Sequence, residues 1–85
     1  MSPAMLARLQ AATAWAMAEV NKNTKDIDII NGLVKHHAAT YRTGASTNSL
    51  RCAGVSATCT WSKDKGLFKA WRKNATLKIM AENAG

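Results

Sequence analysis

Acidic side chains are scarce. Five Asp and Glu stand against twelve Lys and Arg, which leaves a formal net charge of +7 on 85 residues. So unbalanced a chain carries a long-range positive potential that attracts phosphate-rich or acidic partners, a property that bears on partners and not on fold. Cysteine is nearly as rare, with Cys52 and Cys59 alone and six residues between them. A secreted mini-protein of this size would carry a denser cysteine framework, so two reduced thiols are expected in place of a disulfide.

Long apolar runs are missing too. None approaches the roughly 18 residues of a membrane span, and the N-terminus has no basic segment followed by an apolar stretch and a cleavage signal. The expectation is a cytoplasmic protein without membrane contact. Catalytic constellations are also lacking: no nucleophile sits with a base, no carboxylates pair, and Gly54 and Gly66 are too isolated to cradle a phosphate. Asp26 and Asp28 read as first-turn helix charges. The adjacent His36 and His37 point about 100° apart on a helix, and a Cys-x6-Cys spacing is wider than the knuckle of about two to four residues that zinc uses. No enzyme, small-molecule substrate, cofactor or metal is therefore expected.

What the chain does have is a hydrophobic fraction of 47% with 20% charged residues, the balance of a folding chain. At this length about 60–65% of the unfolded surface is hidden on folding, enough for one domain over residues 1–85 with one modest core. The patterning predicts an all-α, mainly helical fold with three long helices at about 3–21, 24–43 and 63–82, and a short helix or extended segment at 46–61.

Ser2 and Pro3, the only proline, read as an N-cap and first helical position. Met5, Leu6, Leu9, Ala12, Thr13, Ala16, Met17 and Val20 then fall on one core-facing arc. Trp15 lies off that arc and joins Ala4, Ala11 and Ala18 in a second apolar face, bordered by Arg8. That face is a candidate interface, with a homodimer as one outcome. Asn23 or Thr24 is positioned to cap the second helix, whose stripe is Ile27, Ile30, Val34, His37, Ala38 and Tyr41, with Gly44 as its stop. Gly32 within it costs about 1 kcal/mol relative to alanine, which points to a close approach of another backbone there.

From residue 46 the signals compete. Residues 48–53 fit a short helix closed by Gly54, whereas Val55, Ala57, Cys59 and Trp61 alternate with Ser56, Thr58, Thr60 and Ser62 in the period of a strand. A helix-turn-helix would place Leu50, Ala53, Gly54, Val55 and Ser56 at its turn, but Leu50 is larger than the turn tolerates and no basic residue follows until Lys63.

The last helix carries the strongest functional signal. Lys63, Lys65, Lys69, Arg72, Lys73 and Lys78 lie within it, and Lys65, Lys69, Arg72 and Lys73 share an arc opposite Leu67, Phe68, Trp71 and Ala75. A solvated lysine-rich face has the same pattern. A helix lying along a phosphate backbone also requires it, and the six cations form the candidate binding set. The function expected is nucleic-acid binding or regulation. The alternative is a non-enzymatic inhibitor of the type phages encode, which would bind an acidic or nucleoprotein partner of a host or defence complex.

Overall fold

The computed structural model describes residues 1–44, 46–60 and 63–84, with the side chains of 63–65 outside that description. The order is α1 (Pro3–Asn21), α2 (Asp26–His37), β1 (Thr40–Thr43), β2 (Asn48–Cys52), β3 (Val55–Cys59) and α3 (Lys63–Ala84). Three helices pack with a three-stranded antiparallel sheet of order β1-β2-β3. The fold is thus α+β, which overturns the all-α expectation.

The first helix begins as its sequence dictates, with the Ser2 hydroxyl accepting from the Met5 amide at 3.2 Å and proline in the first turn. Leu9, Ala12 and Ala16 are its buried residues. The second departs from expectation at both ends. Its N-cap is Lys25, without a side-chain cap bond, and Asp26 and Asp28 occupy the first turn, where the helix dipole favours negative charge. Its buried residues are Ile29, Ile30 and Leu33, so the stripe lies round the helix from the one expected, and Val34 is left exposed.

The second helix ends at Ala38, not Gly44. Ala38 takes the left-handed conformation at φ 56° and its amide donates to the Leu33 carbonyl, a six-to-one closure that stops the helix, while the Ala39 amide donates to the same carbonyl at 3.1 Å. The chain then leaves as Thr40-Tyr41-Arg42-Thr43, rich in β-branched and aromatic residues, and pairs with β2. Strand pairing overrides the local helix propensity of two alanines.

The second and third strands form a hairpin whose two-residue turn is Ala53 and Gly54, at φ 51° and 81°. Two successive positive φ angles match the right-handed twist of the strands, as a type I′ turn does. Alanine there costs about 1–2 kcal/mol. The segment read as a short helix at 48–53 is therefore strand and turn, and the helix-turn-helix reading falls with it. The alternation in β3 is real, with Val55 and Ala57 buried and Ser56 and Thr58 exposed. Trp61 and Ser62, the continuation of that pattern and the expected cap of α3, lie outside the described residues.

The core joins Leu9, Ala12 and Ala16 with Ile29, Ile30, Leu33, Leu50, Val55, Leu67, Phe68, Trp71 and Ala75. The third helix is fixed to the sheet through Trp71, whose Nε1 donates to the Val55 carbonyl at 3.2 Å, and Asn74, whose Nδ2 donates to the Ser56 carbonyl at 3.0 Å. Phe68 stacks beside Trp71 with centroids 6.5 Å apart. Burying these two aromatic side chains contributes about 3–6 kcal/mol and sets the rotation of α3.

Candidate nucleic-acid interface

The rotation of α3 decides which of its residues meet solvent. With Leu67, Phe68, Trp71 and Ala75 buried, Lys69 and Lys73 are carried to the far side, and Arg72, half-buried, stands on the flank between. They line an open groove of about 380 Å³ with Thr76 and Leu77, and among the described residues no carboxylate lines it. None of the three cations makes an ion pair with a described residue; the ion pairs found lie at Glu19 and Glu82. Leu77 and Met80, 55% and 62% exposed, continue the same face toward the helix C-terminus.

Lys78 stands apart. At about 100° per residue it lies well round the helix from Lys69 and Lys73, and its Nζ is 3.3 Å from Glu82 Oε1. The same oxygen is 3.1 Å from the amino group of Met1. Hydrogen bonds from that amino group and from Lys78 hold the Glu82 carboxyl below its ordinary range. The side chains of Lys63 and Lys65, the remaining members of the expected set, lie outside the described residues.

The second expected surface is arranged differently from its reading. Ala4, Ala11 and Ala18 are exposed on α1, but Trp15 is half-buried against the core. Its indole lies over Gly32, where an added Cβ would overlap the ring. The imidazoles of His36 and His37 flank it, with centroids 6.0 and 5.7 Å away. The close approach at Gly32 is thus an aromatic side chain and not the expected backbone, and the outward face of α1 is left with small alanines.

Cys52 is buried and Cys59 half-buried, and no disulfide joins them. Register explains why they cannot bridge: Cys52 pairs with Val55 and Cys59 with Asn48. They sit at opposite ends of the hairpin, about 13 Å apart along the strands, beyond the roughly 7 Å that a disulfide spans between Cα atoms. Burial pushes the Cys52 thiol up to about 11, with nearby Arg8 opposing, and its Sγ donates to the His37 carbonyl at 3.6 Å. Among the described residues, no three His, Cys, Asp or Glu come together as metal ligands, and no helix is long and apolar enough to cross a membrane.

Sequence reasoning missed the sheet, and with it Arg42 and Arg51. These stand exposed on the outer face of β1 and β2, away from the helices. The alternation of β3 was the available signal, since one strand demands a partner. No family model, curated protein or solved structure matches this chain.

Proposed function

We propose that this is a small, non-enzymatic, cytoplasmic nucleic-acid-binding protein that lays the outer face of α3 along a phosphate backbone. The observation that carries the reading is the groove of Lys69, Arg72 and Lys73, three cations side by side with no carboxylate among the described residues of its lining. Cations held together without counter-charge repel one another and oppose folding, a cost that a polyanion relieves. Each phosphate neutralised releases condensed counterions, so log affinity for duplex falls with log salt at about −0.9 per contact. Replacing Lys69 and Arg72 with alanine is expected to flatten that slope by about 1 to 2 and to weaken binding alike across sequences, because phosphate contacts position without reading bases. A parent protein whose weak binding ignores salt would remove the reading.

One observation favours a second reading, an inhibitor seated on an acidic protein or nucleoprotein partner. Leu77 and Met80 are exposed in line with the cations, and exposed apolar side chains beside a charged rim are what a protein interface uses. Met80→Ser is the discriminating variant. It leaves duplex binding unchanged under the first reading and disrupts partner binding under the second.

A further inference from the structure

The sheet turns one face to the helices and the other to solvent. Tyr41, Leu50, Cys52, Val55 and Ala57 point inward as half-buried or buried residues. Strand alternation sends their neighbours outward: Thr40 and Arg42 of β1, Ser49 and Arg51 of β2, Ser56 and Thr58 of β3. Arg51 sits in the middle strand, opposite Thr40 on one side and Ser56 on the other. Arg42 pairs with Ser49 and is the diagonal neighbour of Arg51, about 7–8 Å away. These side chains line a shallow depression of about 350 Å³.

Three features define what fits it. Neither guanidinium makes an ion pair with a described residue, and the sequence has no Asp or Glu between Asp28 and Asp64, so the face is purely cationic. Among the described residues it has no aromatic side chain, and so no platform on which an unpaired base would stack. Among the described residues it also exposes no large apolar side chain to form the dry centre of a protein interface, Leu50 being fully buried beneath it, and two copies placed face to face would set arginine against arginine. Arginine, serine and threonine without aromatic or apolar companions is the set that contacts phosphate and sugar.

The location is as informative as the chemistry. Trp71 and Asn74 mark the side of α3 that faces the sheet. Lys69 lies about 140–160° round the helix from both. The cations of α3 and the arginines of the sheet therefore occupy opposite sides of the molecule.

We propose that the outer face of the sheet is a second surface for duplex nucleic acid, holding its sugar–phosphate backbone through Arg42 and Arg51 and the flanking hydroxyls, so that one chain bridges two duplexes. The bridging rests on the reading of α3 given above; the sheet contact does not.

Bridging is measured as capture of a fluorescent duplex by a bead-bound duplex, run with short DNA and RNA, for the parent, Arg42→Ala/Arg51→Ala and Lys69→Ala/Arg72→Ala. The parent captures. The sheet variant loses capture at least about tenfold, yet binds a single duplex within about threefold of the parent and keeps its circular dichroism. Arg42→Lys/Arg51→Lys, which preserves charge, restores capture and so separates lost contact from lost fold. A sheet variant that captures as well as the parent overturns the proposal, as does a parent that binds one duplex and captures none. Equal competition by polyglutamate, or capture of single strands in preference to duplex, overturns it in favour of another ligand. Loss of capture in the sheet variant with the α3 variant unaffected keeps the sheet surface and removes the α3 reading. A parent that binds no duplex ends both.

Discussion

Residues 1–38, the two N-terminal helices, carry four basic and three acidic side chains, whereas residues 39–85, the sheet and α3, carry eight and two. Both regions feed the core, Leu9, Ile29, Ile30 and Leu33 from one and Leu50, Leu67, Phe68 and Trp71 from the other. Burial therefore gives no reason for the division of charge. In the helical pair the acids have local work: Asp26 and Asp28 begin α2, and Glu19 pairs with Lys22 at 3.2 Å. In the second region Arg42, Arg51, Lys69, Arg72 and Lys73 have no ion-pair partner among the described residues. One region is balanced for folding, and the other carries an excess that folding does not need.

The sharpest contrast between the two is their tryptophans. Trp71 is fully buried and hydrogen-bonded, Trp15 half-buried. Trp71→Ala is expected to cost about 3–5 kcal/mol in urea unfolding, a large part of the stability of any small domain. Trp15→Ala is expected to cost clearly less. The reverse order would move the centre of the core to the helical pair.

Gly32→Ala probes that pair directly. The gain in helix propensity is about 1 kcal/mol, but the methyl overlaps the Trp15 ring, and the net expectation is a loss of about 1–3 kcal/mol. In a Trp15→Ala background the same change should stabilise. A double-mutant cycle with no coupling between the positions would contradict the packing described.

Ala38→Gly tests the junction between the regions. It relieves a left-handed alanine that is exposed to solvent, and thermal unfolding should register a gain of about 0.5–1 kcal/mol. A loss would mean that helix α2 does not end there.

The smallest expected effect concerns the thiols. Burial raises the Cys52 pKa from 9.0 to about 11, so the folded state favours the neutral form. The stability this confers is complete below about pH 9 and is lost as pH rises toward 11. At neutral pH the thiolate of Cys52 is about a hundredfold rarer than that of an unperturbed cysteine, and Cys59 should be alkylated first. Equal labelling rates in the native protein would contradict the burial of Cys52.

The helices α1 and α3 were legible because Ser2-Pro3 marks a start and because Leu9, Ala12, Ala16 and Leu67, Phe68, Trp71, Ala75 repeat at helical spacing over several turns. The sheet was not. Thr40–Thr43 follows two helix-favouring alanines at a spacing that also continues a helical stripe, and only the tertiary pairing with β2 decides between them. The strand β2 buries just Leu50 and Cys52 of its five residues, too little alternation to be seen alone. The hairpin turn is Ala-Gly, without the Asn or Asp that usually announces a type I′ turn. For the site, the cations of α3 were visible as a periodic stripe. Setting Lys78 aside needed the position of Glu82, and finding Arg42 and Arg51 needed the strand register.

We propose that the placement of charge, and not its total, makes the interface. The most direct test is the salt dependence of duplex binding for two variants that each remove two cations, Lys69→Ala/Arg72→Ala from the charged region and Lys25→Ala/Lys35→Ala from the balanced one. All four positions lack ion-pair partners among the described residues, and both variants carry the same net charge. The account predicts a slope flattened by about 1 to 2 for the first and the parent's slope for the second; equal slopes for the two variants would contradict it.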